Sequence, residues 1–384
     1  MITRLALVNF KAFRSLELPL GPLTLLTGLN SSGKSSVLQA LGVLRQSYEA
    51  GGLREGGSFD ADGFLLNGEL VRLGTAQDVL HEDFGPVEGL FPFVHASQIV
   101  VGFLITQDGV EYGWNAEYDP AQPDQDLMPV YTPQIHGSAP LAYNPFQYLH
   151  ADRITPAVTY PRSHLIAIAR DFLGVRGEHT VNYLRHHADR RVLEGPLRHP
   201  RAASPRLLDQ TVAWMQELCP GVNLQASAIE GTDSVRLSYG FGGTAGINAT
   251  RRRRPTNVGF GLTYALPIVV ACLSATSESL ILLENPEAHL HPKGQSRMAA
   301  LLSAAAATGA QLIVETHSDH VLNGVRIAVK ESVLRPEAAV VHYFRGNGAG
   351  AEVVTPRIDK DGMIEHWPEG FFDEWEHSLD QLLD

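Results

Sequence analysis

The sequence predicts an α/β fold in which parallel strands carry a phosphate-binding loop. Three observations predict it. Gly28-Leu29-Asn30-Ser31-Ser32-Gly33-Lys34-Ser35 reads G-x-x-x-x-G-K-[ST]. An apolar run, Leu23 to Leu26, precedes it, and Val37, Leu38, Leu41 and Leu44 follow at helical spacing, which gives the strand–loop–helix context the motif needs. Far along the chain, Leu280–Leu283 and Leu312–Val314 are short, fully apolar runs that end in polar residues, as strands covered on both faces do.

Composition sets the class. The chain has 384 residues, 44% hydrophobic and 19% charged, so it can bury a large core or two ordinary ones. No run is long and apolar enough to cross a bilayer. The first residues, Ile2 to Phe10, look like a strand rather than a signal peptide. Cys219 and Cys272 are the only cysteines, and core packing or simple exposure suits them better than a disulfide or a metal site. A cytoplasmic protein is expected. The net charge of −12 argues against bulk coating of nucleic acid. Two local exceptions remain as candidate nucleic-acid contacts: Arg190, Arg191, Arg198, Arg201 and Arg206 in one segment, and the unbroken run Arg251 to Arg254.

In chain order, residues 1–50 read as strand, strand, phosphate loop and helix, and residues 51–67 as a Gly-rich acidic loop. Leu73 to His81 is a turn and a short helix. From about 92 to 135, alternating runs such as Ile99 to Ile105 and Glu111 to Trp114 suggest antiparallel strands, and residues 117–147 an exposed loop. Tyr148 to Ile154 opens the next ordered part. Helices are expected at Leu165 to Phe172, Thr180 to His187 and Leu207 to Leu218, then a strand at Val235 to Tyr239 and a turn from Gly240 to Gly246. The last third returns to α/β order: a helix at Leu262 to Ala275, the strand Leu280–Leu283, a helix at Met298 to Ala307 capped by Gly309, the strand Leu312–Val314, and a tail with Trp367, Phe371, Trp375 and an acidic helix, Asp373 to Asp384.

The chemistry concentrates at strand ends. The loop amides and the positive end of the following helix face an anion, Lys34 reaches the outer phosphates, and the Ser35 hydroxyl suits Mg²⁺. Leu280–Leu283 ends in Glu284-Asn285-Pro286-Glu287, which puts acid at the carboxyl edge of the sheet, the usual ligand position in open α/β folds. Glu284 suits Mg²⁺, and Glu287 or Asn285 could orient an attacking water. A second strand ends in Glu315-Thr316-His317, with His317 within reach of a terminal phosphate. Asn257 to Thr263 bares glycine amides before a long apolar helix, a second anion site.

These four segments together resemble the ABC-type ATPase heads of the SMC and RecF group, in particular the overcoming-lysogenisation-defect (OLD)-like branch of AAA-family ATPases found in bacterial anti-phage systems. The residues that carry the resemblance are "LVNFKAFRSLELPLGPLTLLTGLNSSGKSSVLQAL", "LLENPEAHLHP" and "ETHSDHVLNGVR", with weaker likeness at "YLHADRITP" and "GFFDEWEHSLDQLL". It covers about 1–80 and 255–330. It implies a P-loop NTPase of ABC-head type: residues 1–90 with Walker A, a mixed α+β middle lobe inserted at 91–255, and residues 256–384 with signature, Walker B and switch histidine. It further implies that Gly28, Asn30, Ser31, Ser32, Gly33, Lys34, Ser35 and Ser36 bind ATP. Gly259, Gly261 and Thr263 would reach the γ-phosphate held by a second copy. Ser35, Glu284 and Gln77 would meet Mg²⁺, and His317 would be the switch. Lys11, Phe13 and Arg14 would lie near the nucleotide.

The chain departs from such heads where they place a catalytic glutamate directly after the Walker B acid: here that residue is Asn285. Relatives with their own nuclease add a Toprim domain after the switch histidine, for which the residues beyond His317 are too few. The expectation is an ATP-dimerised ATPase that controls a separate effector such as a nuclease, in phage defence or DNA maintenance. A nucleotide-sensing scaffold with little turnover is the alternative class. A small-molecule kinase or a transporter ATPase subunit fits less well.

Overall fold

The computed structural model describes residues 1–53, 63–85, 100–130, 141, 145–242, 251–346 and 351–383. The strands and helices run β1 (Ile2–Phe10), β2 (Phe13–Pro19), β3 (Leu23–Gly28), α1 (Lys34–Glu49), β4 (Gly63–Leu65), α2 (Ala76–Val79), β5 (Val100–Gln107), β6 (Val110–Glu117) and β7 (Leu127–Pro129). They continue as β8 (Phe146–Leu149), β9 (Tyr160–Pro161), α3 (Thr180–His186), α4 (Leu207–Leu218), β10 (Val222–Ala228), β11 (Ser234–Phe241), α5 (Phe260–Ser274) and β12 (Leu280–Glu284). The last are α6 (Pro292–Ala307), β13 (Gln311–Glu315), α7 (Asp319–Lys330), β14 (Ala339–Gly346), β15 (Ala351–Val354) and α8 (Glu374–Leu383).

The chain divides into two units. One holds residues 1–21, 26–144 and 342–355; the other holds 22–25, 145–341 and 356–384. Two strands change unit along their length: β3 after Leu25 and β14 after Val341.

In the first unit an antiparallel sheet runs β2-β1-β5-β6. Its central strand β1 is buried from Leu5 to Phe10 because partners cover it on both sides, Leu5 facing Leu18 and Ile105. The end of β3 meets β14, and the Leu29 N–H donates to Phe344 O at 3.2 Å. Helix α1 presents Val37, Leu38, Leu41 and Leu44 to the core, as their spacing predicts.

In the second unit β8, β12 and β13 are parallel, with Leu282 between Tyr148 and Ile313. Leu280 to Leu283 are fully buried, which explains an apolar run with no alternation. Helix α5 is almost continuously apolar and buried from Leu262 onward. Helices α6 and α7 pack so closely that a Cβ at Gly324 would lie 2.5 Å from Ala299 Cβ. A smaller sheet, β10-β11-β9, completes the unit.

The structure cuts the chain differently from the three-part division expected. Residues 100–117 are not part of a separate inserted lobe: β5 pairs along β1, and β6 along β5. Residues 146–149 of that expected lobe form β8 and pair in parallel with β12. Within the loop expected at 117–147, β7 pairs with β4 and buries Met128 completely; residues 131–140 and 142–144 lie outside the described residues. So do residues 54–62 of the acidic loop, residues 92–99 before β5, and residues 243–246 of the glycine turn. The helix expected at Leu165 to Phe172 is a single π-type turn, Leu165–Ala169. Both cysteines are free thiols, and burial pushes the Cys272 thiol up to about 12. No helix among the described residues is long and apolar enough to cross a membrane.

Candidate functional site

The phosphate loop belongs to the first unit. Gly28 and Gly33 sit at φ 126° and 96°, where a side chain is strained. Space forbids one as well. A Cβ at Gly28 would lie 2.0 Å from Phe344 O, and one at Gly33 would lie 2.4 Å from the Phe13 ring. Ser31 takes a left-handed φ of 59°, which completes the curl. Leu29, Asn30 and Ser31 are exposed, while Ser32, Lys34 and Ser36 are buried. The Lys34 ammonium folds back on its own loop and donates to Gly28 O at 3.1 Å and Leu29 O at 2.5 Å. Ser32 Oγ also donates to Leu29 O, at 2.7 Å. Gly33, the N-cap of α1, brings no side chain to the start of that helix, whose positive end faces the loop. This donor set fits a polyphosphate.

Phe13 therefore supports the loop by packing on Gly33. Lys11 is left-handed at φ 51°; burial lowers its pKa, against the pull of Asp78. Gln77 is exposed in α2, where its backbone N–H donates to Pro123 O at 3.1 Å. Its side chain has no hydrogen-bond partner among the described residues, and nothing around it marks a metal ligand.

The acids belong to the second unit. Glu284 ends β12 with both carboxylate oxygens held: the Tyr148 hydroxyl donates to Oε1 at 2.7 Å and the Ala151 N–H to Oε2 at 2.9 Å. A carboxylate has about four acceptor sites, so two remain for Mg²⁺ or its water, a hard cation that prefers oxygen. Burial and the nearby Glu284 raise the Tyr148 pKa well above the phenol value, so its hydroxyl keeps its proton. Asn285 turns left-handed at φ 45°, and its N–H donates to Glu315 O at 2.8 Å. Its side-chain Oδ1 is buried without a partner among the described residues. Glu287 Oε1 accepts from the His317 N–H at 2.9 Å, while Oε2 is buried without a partner among the described residues. The structure thus brings Glu284, Asn285, Glu287 and His317 together at adjoining ends of β12 and β13.

The segment expected to act as a signature loop divides. Gly259 is an exposed N-cap with open space where a Cβ would go. At Gly261 a Cβ would lie 2.6 Å from His289 O, so this glycine serves its own chain's acid loop. Thr263 corrects the expectation. It is 3% exposed and turned inward toward the Tyr160 and Tyr239 hydroxyls, because α5 buries that face. The outward residue is Phe260, 52% exposed.

The two basic segments also separate. Arg190 pairs with Asp171, Arg198 with Glu194, Arg201 with Glu217 and Arg206 with Asp189, so that segment is largely neutralised by its own fold. Arg251 to Arg254 are exposed, and none of them forms an ion pair among the described residues. The residue that sequence reasoning passed over is Arg153, buried beside Glu284 and donating to its backbone carbonyl at 2.7 Å.

Solved structures share this architecture. An SMC head bound to the C-terminal winged-helix domain of ScpA matches with a TM-score of 0.50 and 16% identity, covering 94% of this chain and 99% of that one. A second, the Smc head with an extended coiled coil bound to the C-terminal domain of ScpA, derived from Pyrococcus furiosus, matches with a TM-score of 0.51 and 13% identity. It covers 100% of this chain and 99% of that one. The fold is that of an SMC head. Family models agree along this head. Residues 1–70 match an AAA ATPase domain, and residues 181–323 an AAA domain whose description names the AbiEii toxin and Type IV TA systems. Residues 334–382 match a domain of unknown function, DUF3696. The head is also similar to an OLD nuclease of Thermus scotoductus, at 25% identity over 376 residues, or 90% of this chain. It spans 64% of that relative's length. The chain thus has the fold of an SMC head, with segments similar to AAA ATPase domains and, along most of its length, to an OLD nuclease.

Proposed function

We propose that the protein binds ATP with Mg²⁺, hydrolyses it, and pairs with a second copy through the bound nucleotide to control a separate effector, most simply a nuclease, in phage defence or DNA maintenance. The observation that carries hydrolysis is Glu287: one oxygen tied to the His317 backbone, the other buried and free to accept a proton from water. Lys34 would exchange its bonds to the Gly28 and Leu29 carbonyls for phosphate oxygens. Ser35 and Glu284 would hold Mg²⁺, which when bound neutralises phosphate charge and helps the leaving group depart. Glu287 would orient the water and take up its proton. The His317 backbone holds Glu287 in place, so a phosphate that moves His317 also moves the base.

A second reading rests on Asn285. It occupies the position after the strand acid and cannot act as a base, which favours a nucleotide-sensing scaffold with little turnover. Two variants decide between these. Lys34→Ala should abolish tight ATP binding in calorimetry; unchanged affinity overturns both. Glu287→Gln should bind ATP normally and slow single-turnover hydrolysis by about 10²–10⁴-fold. Equal rates with and without Glu287 favour the scaffold.

A further inference from the structure

Arg153 is fully buried, yet it forms no ion pair among the described residues. Its guanidinium donates instead to three backbone carbonyls: Nη1 to His150 O at 3.0 Å and to Glu284 O at 2.7 Å, and Nη2 to Asn285 O at 2.6 Å. Burying a guanidinium is costly, and a fold that needed only packing there would use an apolar side chain. The carbonyls it gathers are not ordinary ones. Pairing between β8 and β12 ends at Leu149 and Leu283, so the carbonyls of Glu284 and Asn285 lie just beyond the ladder. Arg153 continues the stitching where the strands stop.

The residues around it do the same work on the side chain. Tyr148 and Ala151 hold the two oxygens of Glu284. A single segment, 148–153, therefore fixes both the carboxylate and the backbone of the strand acid. The effect runs on to Glu287. Asn285 O, which Arg153 holds, also accepts the Ala288 N–H at 3.1 Å and so closes the turn that carries Glu287. On its other side Arg153 lies 5.6 Å from the Tyr264 ring centroid, in the first turns of α5, and that ring packs edge-on to His289 at 4.6 Å. The guanidinium is the common support of the acid turn and the start of the signature helix.

We propose that Arg153, assisted by Tyr148, is a positioning residue of the ATPase site: it holds Glu284 and the turn bearing Glu287 in the orientation that receives Mg²⁺ and water. The proposal rests on the ATPase reading above. Lysine keeps the charge but lacks the planar fork that spans two carbonyls, so Arg153→Lys tests geometry rather than charge. Tyr148→Phe removes one hydroxyl from Glu284 and little volume.

The experiment measures binding of a non-hydrolysable ATP analogue by calorimetry, in Mg²⁺ and in EDTA, alongside thermal melting. The positioning role predicts wild-type affinity in EDTA for both variants. In Mg²⁺, the affinity gained from the cation should fall about tenfold in Arg153→Lys and severalfold in Tyr148→Phe, as expected when a group that orients a metal ligand is lost. Steady-state turnover should need correspondingly more Mg²⁺. If Arg153→Lys does not fold, Tyr148→Phe decides alone. A Mg²⁺ gain equal to wild type, with only the melting temperature lowered, overturns the positioning role and leaves the ATPase reading intact. A wild-type protein that does not bind the analogue at all overturns both.

Discussion

His342 shows how much a single residue decides. Its ring is fully buried in β14, with Nε2 2.8 Å from Pro19 O and Nδ1 2.9 Å from Thr355 Oγ1. A carbonyl can only accept, so Nε2 carries the proton and Nδ1 takes one from the threonine hydroxyl. Burial pulls the pKa down from 6.5 to about 4. The folded protein thus holds the imidazole neutral, while the unfolded chain protonates it near pH 6.5. Its contribution is complete above about 6.5 and is lost as the pH falls toward about 4, by up to about 3 kcal/mol. Urea midpoints should drop over that window, and His342→Gln should flatten that part of the profile. Other residues were easier to read. Lys34, Glu284, Glu287 and His317 stand in motifs whose spacing is chemistry. Spacing alone does not say which side of α5 faces the core, so the inward turn of Thr263 is not legible in the sequence. Arg153 is not legible there, because a buried arginine bonded to carbonyls has no signature spacing.

Elements were most legible where local pattern and burial agree. Helix α4 begins and ends at Leu207 and Leu218, the limits its amphipathic pattern predicts. Strands β12 and β13 were visible as apolar runs. Helix α7 and strand β14 do not stand out as elements in the sequence. The first was absorbed into a motif, although its Ser318 hydroxyl accepts the Val321 N–H as an N-cap. The second is a continuous strand whose apolar run is broken in sequence by His342. The four-residue strand β8 is too short for periodicity to show. Close packing between elements also escapes pattern. Gly324 lets α7 approach α6, where a Cβ would lie 2.5 Å from Ala299 Cβ and 2.9 Å from Ser296 O. Gly324→Val should therefore overpack the contact and cost about 1–3 kcal/mol, read as a lower urea midpoint.

At the scale of the molecule, association is the test. ATP-dependent pairing needs the Gly259 end of α5 to meet a nucleotide held by another copy. Gly261 is a poor probe, because a side chain there collides with the chain's own His289 carbonyl. No atom of the described residues lies within 4 Å of where a Cβ at Gly259 would go, so Gly259→Arg should leave the protomer intact. Light scattering of Glu287→Gln protein should show the mass doubling with ATP and not with ADP. Gly259→Arg should abolish the doubling while the melting temperature stays the same. A constant mass in all samples contradicts nucleotide-driven pairing. Such an isologous contact is the commonest closed symmetry for like subunits.

The phosphate loop has a further property that concerns time rather than space. Its base is closed by a strand more than three hundred residues downstream: the Leu29 N–H and the Thr27 hydroxyl find their acceptors at Phe344 and His342. A ribosome makes about 5–20 residues per second, so the loop waits on the order of tens of seconds for β14 to be made. Every earlier nascent chain carries the motif without its support. The loop therefore gains its final backbone support only once β14 has been made and has folded back onto it.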